Sequence, residues 1–386
     1  MAPTIVMFVN RKSGGQKGVR IYEEFHSLIG DRCVYLDDGA SLGIQQCVQV
    51  LEQSEEYKKL IESVDLSDPD HKFVSTENIL RCVCSGGDGT VSWVLGEMDK
   101  SELIPKFVRI PVAHLPLGTG NDFARATGWG GGYDGGSPKQ ILQKVQNASA
   151  VRLDRWKLSV KTLSDGVSKE FPFHNYISIG CDAAVAYGFD DLRRRKPHLF
   201  TSRARNKLIY IGQGALVTFT GKGGLIRKKV QVSGESVQKT MEEDKIHTHE
   251  FELPMLAQSL VIENVPSYMG GADIWGKKGE SVVCLPMIHT DPTKGRHAPP
   301  GGFQEQSLGD GVLEALTFQG PAQQGIASVV KSTARRVGQA SKFHIECRHS
   351  RWYVQYDGEP LLFEDEKGID VDVWLGRSAS VLVNKS

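Results

Sequence analysis

Three glycine-rich loops carry most of the residues whose types and spacing suit chemistry. Residues 85–90 are SGGDGT, residues 117–122 are LGTGND and residues 10–17 are NRKSGGQK. Successive glycines leave backbone N–H groups open to an anion, and the N-terminus of a following helix favours phosphate. Asp88 would repel phosphate, so the first loop also implies a cation such as Mg²⁺. For one such loop alone, a tight turn with a solvated aspartate is an equal alternative.

These loops differ from the common nucleotide motifs. The sequence contains no GxxxxGK[ST], and Phe123 occupies the place of the last glycine in GxGxxG. Asn121 and Asp122 lie where a helix is expected to start, and we expect one of them merely to cap free N–H groups. The pattern therefore predicts phosphate binding without a dinucleotide fold of the usual kind.

The loops are positioned by a repeated order of strand, glycine loop and helix. Apolar runs at Ile5–Val9, Ile79–Cys84 and Val108–Leu117 precede the loops, and helices are expected near Val19–Ile29, near Val91–Met98 and from Phe123. This order predicts a parallel sheet with helices on its faces. Ligands on such sheets bind beyond the carboxyl ends of the strands, so we expect all three loops at one edge.

The character of the chain changes after Val151. Short β-rich runs separated by turns predict a mainly antiparallel β-sandwich with a few helices, including a strand at Val282–Leu285. The polar segment Gly221–His249 is expected to be a loop outside the core. We predict an α/β nucleotide-binding domain at 1–150 and a β-rich domain at 151–375, with residues 376–386 as a candidate to return to the first domain.

Composition narrows the classes of function. The chain has 386 residues, with 46 Lys and Arg and 46 Asp and Glu, so no net charge attracts nucleic acid or an acidic membrane. Its seven cysteines form no CxxC pair, which argues against common zinc modules and a disulfide framework. No stretch approaches the length of a membrane span, and the apolar N-terminus is expected to be a buried strand. A cytoplasmic setting is the expectation.

Longer stretches of the sequence resemble eukaryotic diacylglycerol kinases, reduced to their catalytic and accessory regions. GGDGT alone fits a wider superfamily that includes sphingosine, NAD and phosphofructo-kinases. More specific are LPLGTGNDFARATGWGGGY at 115–133, the tract NYISIG to RNKLIY at 175–210, VPSYMGGADIW at 265–275, LGDGVLEAL at 308–316 and DGEP at 357–360. The resemblance runs from Ile5 almost to the chain end. It implies a phosphofructokinase- or NAD kinase-like first domain and an accessory domain for the lipid substrate.

The resemblance implies a reaction and a set of site residues. ATP would phosphorylate the primary hydroxyl of 1,2-diacylglycerol, giving phosphatidic acid and ADP. Asp88 would reach Mg²⁺ through water, with Asp122 and Asp154 in the same acidic network and Asp310 at a second metal position. For Asp310 an ordinary DG turn is equally open. Nucleotide contacts are expected from Asn10, Ser13, Gly14, Gly15, Lys17, Gly86, Gly87, Gly89, Thr90, Gly118, Thr119, Gly120 and Asn121.

The general base is assigned to the closing DGE sequence. Asp357 and Glu359 match the family's acidic pair near the acceptor hydroxyl, and we assign Glu359 as base and Asp88 as the organiser of the metal. Related lipid kinases favour the aspartate of GGDGT as base, so that alternative stays open. Asp357 and Gly358 also predict a hairpin turn, which is compatible with a base beside it.

Two departures from the family pattern affect these expectations. Arg11 stands where the family usually has proline, which leaves the nucleotide contacts of Arg11 and Lys12 open. The cysteine and histidine spacings of zinc-bound C1 domains and the calcium loop of an EF-hand are absent from this sequence. Alternative functions are a ceramide, sphingosine or monoacylglycerol kinase, a soluble NAD kinase, or a silent lipid-binding protein.

Basic clusters suggest how a neutral chain meets a lipid substrate. Arg193–Lys196 and the basic residues up to Lys207 flank Leu199 and Phe200, which are expected to be exposed, and Arg227–Lys229 follows Leu225. Basic and apolar residues together favour reversible, salt-sensitive binding to a peripheral anionic membrane surface. A solvated face or internal ion pairs are equally open. No nucleic acid partner is expected, and a homodimer is a further candidate.

Overall fold

The computed structural model describes residues 2–37, 39–64, 73–201, 203–221, 224–238, 245–276, 302–321, 323 and 334–385. The chain divides into two compact units, Met1–Leu153 with Ser378–Ser386 and Asp154–Arg377. The strand predicted at Val282–Leu285 lies outside the described residues. Within the described part of the chain, no helix combines the length and apolarity that a membrane span requires.

The first unit is built on a parallel sheet with the strand order β6-β4-β1-β2. All seven residues of β4 and all five of β6 are buried, which is typical of a parallel strand covered on both faces. The predicted parallel sheet is therefore confirmed. The elements are β1 (Thr4–Val9), α1 (Ser13–Ile29), β2 (Cys33–Tyr35), α2 (Ser41–Glu52), α3 (Glu55–Glu62), β3 (Val74–Ser75), β4 (Leu80–Gly86), α4 (Asp88–Lys100), β5 (Val108–Arg109), β6 (Val112–Pro116), α5 (Asp122–Ala126) and α6 (Pro138–Asn147).

The second unit contains two antiparallel sheets. Their strands are β7 (Ser149–Thr162), β8 (Ser168–Phe173), β9 (Tyr176–Gly180), β10 (Val230–Gln238), β11 (Lys245–Phe251), β12 (Ser259–Glu263), β13 (Leu313–Phe318), β14 (Arg335–Ala340), β15 (Lys342–Cys347), β16 (Arg351–Tyr356), β17 (Glu359–Glu364) and β18 (Ile369–Val383). One sheet has the order β11-β10-β15-β18, with β7 paired to β8 and β18, and the other has the order β14-β13-β12-β9-β16-β17.

One hydrophobic core joins the two sheets of the second unit. Leu158 and Ile345 of the first sheet share a cluster of buried side chains with Ile177 and Val354 of the second. Burial of one face of each sheet against the other defines a sandwich. The predicted antiparallel β-sandwich is therefore confirmed.

Two helices follow β9 in the second unit. These are α7 (Cys181–Arg195) and α8 (Arg203–Thr220), with a short 3₁₀ turn between them. The two helices pack on each other, and α7 also contacts β16 and β17. Val217 of α8 and Cys181 of α7 belong to one buried cluster with Tyr353 of β16.

The prediction of a loop across Gly221–His249 is wrong for residues 230–238 and 245–249, which belong to β10 and β11 and pair in antiparallel orientation. Val232 pairs with Phe251, and both side chains are buried. The residues of β10 that lie between its apolar positions are mostly polar. An antiparallel sheet normally has one face toward solvent, so such residues are compatible with a strand. Because the segment has many charged residues, the alternation of apolar and polar residues is difficult to recognise in the sequence.

The chain end, Ser378–Ser386, is part of the first unit. Val381 of β18 pairs in parallel with Val112 of β6. The indole N–H of Trp129 donates to the carbonyl oxygen of Leu382 at 2.6 Å. The amide of Asn384 donates to the carbonyl of Thr127 at 2.9 Å. These bonds fix the last residues beside the loop that follows α5.

Candidate active site

The three glycine-rich loops follow three adjacent strands of the first unit. Because β1, β4 and β6 are parallel neighbours, their carboxyl ends meet at one edge. The amide of Asn10 donates to the carbonyl of Ser85 at 2.9 Å, and the amide of Leu117 donates to the carbonyl of Gly86 at 2.6 Å. The edge predicted for the three loops is therefore confirmed.

Protein contacts explain two of the glycines at this edge. A Cβ atom on Gly86 would lie 2.2 Å from Thr90 Oγ1. A Cβ atom on Gly118 would lie 2.9 Å from the Cα of Gly87. Close packing of the loops thus requires these glycines. Gly89 differs, because a Cβ atom there would have no neighbour within 4 Å among the described residues.

Asn10 connects the loop at residues 10–17 to the loop at residues 85–90. Its side-chain Nδ2 donates to Thr90 Oγ1 at 3.2 Å, and its Oδ1 accepts from the amide of Lys12 at 3.1 Å. Gly14 and Gly15 then adopt φ angles of 64° and 68°, which glycine tolerates best. The resulting turn begins α1 and leaves the side chain of Lys17 exposed.

Arg11, which stands where the resembled family usually has proline, contacts Asp37 and Tyr35. Its Nε lies 2.9 Å from Asp37 Oδ2, and its guanidinium lies 4.1 Å from the centre of the Tyr35 ring. A cation over an aromatic face and an ion pair each contribute modestly at an exposed site. Arg11 is thus held over the residues that follow β2.

Asp88 is held by two backbone amides of the neighbouring loop. Its Oδ2 accepts from the amide of Asp122 at 2.9 Å and its Oδ1 from the amide of Phe123 at 3.2 Å. Only 12% of the side chain is exposed. The carboxylate therefore caps α5 from the neighbouring loop, a position that the helix dipole favours. The alternative of a solvated aspartate in a tight turn is therefore wrong.

Asn121 stabilises the second loop rather than capping α5. It adopts a left-handed conformation with φ 55°, and its Nδ2 donates to the carbonyls of Gly118 at 2.8 Å and Gly131 at 2.9 Å. Its Oδ1 is buried and has no hydrogen-bond partner among the residues that the structure describes. Because both side-chain N–H groups are used, the side chain has no donor left for a phosphate oxygen. Its predicted nucleotide contact would have to use the backbone.

His114 is a site residue that the sequence argument missed. It is fully buried on β6, with Nε2 3.0 Å from the carbonyl of Gly86 and Nδ1 3.6 Å from Asp88 Oδ1. Because a carbonyl only accepts hydrogen bonds, Nε2 carries the proton. A lone histidine in the apolar run VAHLPL was the available signal. The imidazole of His114 therefore lies beside the carboxylate of Asp88 and is oriented by its bond to Gly86.

Asp154 and Asp310 lie together in the second unit. Asp154 is fully buried; its amide donates to the carbonyl of Leu308 at 2.7 Å, and its Oδ2 accepts from the amide of Gly311 at 2.5 Å. Asp310 Oδ1 accepts from the amide of Val312 at 3.0 Å, and Gly311 has a φ of 77°. The DG turn is therefore present, and its loop surrounds Asp154.

The acids predicted to bind metal form two pairs. Asp88 and Asp122 belong to the first unit, whereas Asp154 and Asp310 belong to the second. In the described ranges, no group of three or more His, Cys, Asp or Glu residues could hold a metal ion. Protein sites for Mg²⁺ with a phosphate substrate often use one or two carboxylates, completed by phosphates and water. The geometry of Asp88 fits that kind of site.

The DGE sequence forms the predicted hairpin between β16 and β17. Tyr356 pairs with Glu359, and Asp357 and Gly358 have φ angles of 45° and 85°. Positive φ at both central residues defines a two-residue turn with the twist of a hairpin. The sequence prediction of this turn is confirmed.

Asp357 attaches the hairpin to the turn between β8 and β9. Its carboxylate accepts from the amides of His174 at 3.0 Å, Asn175 at 2.8 Å and Tyr176 at 3.1 Å. Burial raises the pKa of Asp357 to about 6, against the lowering effect of these three donors. Burial lowers the pKa of His174 to about 3, and its Nδ1 lies 3.2 Å from Asp357 Oδ2. Both carboxylate oxygens of Asp357 are therefore bound to backbone amides of this turn.

Glu359 is the more accessible acid of the hairpin. It is exposed at the start of β17. Partial burial raises its pKa, the carboxylates of Asp190 and Asp357 raise it further, and Arg193 lowers it. A carboxylate that binds protons more strongly than usual suits general base catalysis. Glu359 thus has the access that Asp357 lacks.

Known protein families match both units of the chain. A family model described as the diacylglycerol kinase catalytic domain matches residues 4–154, and one described as the diacylglycerol kinase accessory domain matches residues 172–360. The chain is 30% identical over 370 residues to probable diacylglycerol kinase 3 of Caenorhabditis elegans, covering 93% of this chain and 41% of that protein.

Plant and human relatives agree with this match. Diacylglycerol kinase 2 of Arabidopsis thaliana is 32% identical, with 94% of this chain and 44% of that protein covered. Human diacylglycerol kinase zeta is 31% identical, with 93% of this chain and 34% of that protein covered. The chain thus spans less than half the length of each of these relatives.

A solved structure of yeast NADH kinase complexed with NADH is also similar. It has 13% sequence identity and a TM-score of 0.38, and the match covers 99% of this chain and 84% of that one. Likeness at this level supports no inference about activity. The two family models together cover most of both units, and the chain therefore belongs to the diacylglycerol kinase family.

Proposed function

We propose that this chain transfers the γ-phosphoryl group of ATP to the primary hydroxyl of 1,2-diacylglycerol, giving phosphatidic acid and ADP. The observation that carries the proposal is the position of Asp88, whose carboxylate is held by backbone amides where two glycine loops meet. Phosphoryl transfer depends mainly on positioning and on charge stabilisation, and a fixed acid between phosphate-binding loops suits both. Membership of the family supports the choice of a lipid acceptor.

The first unit would bind the phosphates of ATP. Helices α1 and α4 begin at the edge of the sheet and have no side-chain hydrogen bond at the N-cap, and a Cβ atom on Gly15 or Gly89 would have no close neighbour among the described residues. The exposed side chains of Lys12 and Lys17 add positive charge. Thr119 and Gly120 extend the same edge. Together these groups would neutralise and orient a triphosphate.

Asp88 is the carboxylate best suited to hold Mg²⁺ with the phosphates. Each of its oxygens accepts one amide hydrogen bond, and a carboxylate oxygen can interact with more than one group. When bound, Mg²⁺ would neutralise charge on the phosphates. Asp122 is the second carboxylate of the same edge. Asp154 and Asp310 would form the additional metal position in the second unit, which the loop around Asp154 would shape.

Glu359 would accept the proton of the lipid hydroxyl. Its exposure and raised pKa support this role. Asp357 would be a positioning residue, since its carboxylate binds three backbone amides and fixes the hairpin that carries Glu359. In the loose transition state of phosphoryl transfer, correct placement of the hydroxyl outweighs complete proton removal.

The setting that fits this reaction is cytoplasmic, with reversible attachment to the membrane that contains the lipid. Other acceptors are the main alternatives: ceramide, sphingosine and monoacylglycerol among lipids, and NAD among soluble substrates. Labelled ATP offered with each acceptor in turn separates them. We expect transfer to diacylglycerol at the highest kcat/KM. Preferential transfer to another lipid would assign that lipid as the substrate. Transfer to NAD alone would overturn the proposal.

A further inference from the structure

Helix α8 exposes an apolar stripe to solvent. Leu208 is 69% exposed, Ile211 66%, Leu216 49% and Phe219 89%. Their spacing places them on one face of the helix. The opposite face packs inward through Val217, which belongs to the buried cluster with α7. The apolar stripe of a helix normally faces the core, so this second, outward stripe indicates a surface for docking.

The charge around α8 is strongly one-sided. Residues 192–234 contain no Asp or Glu, although the chain as a whole is neutral. The same segment contains eleven basic residues, namely Arg193, Arg194, Arg195, Lys196, Arg203, Arg205, Lys207, Lys222, Arg227, Lys228 and Lys229. They precede, enter and follow the helix in sequence. The segment therefore combines an apolar stripe with positive charge at both ends of α8.

The strip that the sequence suggested for membrane contact is less suitable than α8. Arg193 and Arg194 pair with Asp190, and Arg195 pairs with Asp191, which reduces the local positive charge. Leu199 and Phe200 are half-buried, and the ring of Phe200 packs edge-on against Phe189 at 5.1 Å. The expectation that these two apolar residues are exposed is wrong.

An anionic bilayer is the occupant that fits both properties. A protein partner would need to cover a protruding ring such as Phe219 and also to supply acids for the basic residues. A lipid surface supplies both at once, because acyl chains accept apolar side chains and anionic headgroups attract Lys and Arg. Helix α8 also packs on α7, which contacts the strand that begins with Glu359.

We propose that the outward stripe of α8, formed by Leu208, Ile211, Leu216 and Phe219, inserts into the surface of an anionic bilayer, with exposed basic residues that flank the helix in sequence, such as Lys196 and Lys228, against the headgroups. The inference rests on the proposed function only in its choice of a lipid surface. Binding itself requires neither ATP nor the acceptor lipid. It can therefore be tested apart from catalysis.

The test is sedimentation of the full chain with phosphatidylcholine vesicles that contain or lack phosphatidylserine, at low and high salt and without nucleotide. The double variant Ile211→Ser/Phe219→Ser should bind phosphatidylserine vesicles at least about tenfold more weakly than the wild type. The matched control is Leu42→Ser/Leu103→Ser, two leucines of the first unit that are more than half exposed. This control should bind like the wild type. High salt should weaken binding of the wild type.

Three further readouts complete the test. Thermal melts must show that both double variants fold. Lys228→Ser, which removes one exposed positive charge and leaves the apolar stripe intact, gives a second variant in case the first one melts early. It should weaken binding to anionic vesicles and leave neutral vesicles unaffected. Equal vesicle binding by the wild type and Ile211→Ser/Phe219→Ser overturns the proposal. A monomer–dimer equilibrium that this variant abolishes, with vesicle binding unchanged, assigns the stripe to a second copy instead. Glu359→Gln should bind vesicles like the wild type whether or not the kinase proposal holds.

Discussion

Replacing Asp88 with alanine should affect both stability and phosphoryl transfer. The substitution removes the acceptor of the amides of Asp122 and Phe123, at 2.9 and 3.2 Å, and leaves the start of α5 without that cap. Loss of a capping side chain costs about 0.5–2 kcal/mol, and a hydrogen bond to a charged group contributes about 1.5–3 kcal/mol. Because the side chain is 12% exposed, little solvent replaces these bonds.

We therefore expect Asp88→Ala to lower the free energy of unfolding by about 2 kcal/mol. In the thermal transition of a unit of this size, that loss corresponds to about 4–8 °C. The same change should reduce kcat/KM for phosphoryl transfer by about a hundredfold or more, because it removes a fixed charge from the transition state. Melts followed by circular dichroism and initial rates with labelled ATP measure the two effects.

The control for this prediction is Asp134→Ala, which changes an exposed aspartate of the same unit. It should leave both the melting temperature and the rate unchanged. An Asp88→Ala protein that melts with the wild type would refute the capping geometry. A folded Asp88→Ala protein that keeps more than about a tenth of the wild-type rate, a loss below about 1.4 kcal/mol, would refute the role of Asp88 as metal organiser.

The remaining predictions use substitutions in both units. Gly86→Ala should lower stability by about 1–3 kcal/mol, since its Cβ would lie 2.2 Å from Thr90 Oγ1, whereas Gly89→Ala should leave the melting temperature unchanged; equal melts would contradict the packing argument. Glu359→Gln should lower kcat with little change in KM for ATP, and an effect on KM for ATP alone would remove Glu359 from the acceptor site. Burial raises the pKa of Asp357 to about 6, from about 4 in the unfolded chain. Its contribution to the free energy of unfolding is therefore fully present below a pH of about 4. That contribution falls by up to about 3 kcal/mol as pH rises through about 6. The stability difference between wild type and Asp357→Asn, measured by denaturant unfolding across this window, should shift toward the variant with rising pH; a constant difference would contradict it.

Much of the first unit could be predicted because each loop carries its own local signal. A buried apolar run, a pair of glycines and a helix start are all visible within about twenty residues, and parallel strands then bring the loops to one edge. The Asp357-Gly358 turn was predictable for the same reason, since that dipeptide favours a two-residue hairpin.

Contacts between distant segments were not predictable from the sequence. The bonds from Asp88 to the amides of Asp122 and Phe123 join residues 34 and 35 positions apart. His114, from a third segment, lies beside the same carboxylate, with its Nδ1 3.6 Å from Asp88 Oδ1. Side-chain chemistry suggested a metal ion for Asp88, whereas the fold also provides its carboxylate with two backbone amides. No local sequence pattern indicates whether a polar side chain binds a ligand or another group of the protein.

The outward stripe of α8 shows a different limit. Apolar periodicity reveals that a helix has an apolar face but not whether the protein or a partner covers it. The pairing of Arg193 and Arg194 with Asp190, by contrast, follows helical spacing and could have been foreseen. Whether an apolar face is buried in the protein or exposed to a partner depends on the folded unit, and the helix sequence alone does not determine it.

The most direct test of the central claim is to incubate the wild-type chain with ATP labelled in the γ-phosphate and vesicles that contain 1,2-diacylglycerol, and to identify the labelled product. Our account predicts label in phosphatidic acid, absent without Mg²⁺ and strongly reduced for Asp88→Ala and Glu359→Gln. Label that appears in no lipid, or that appears in phosphatidic acid at the same rate with both variants, would contradict it.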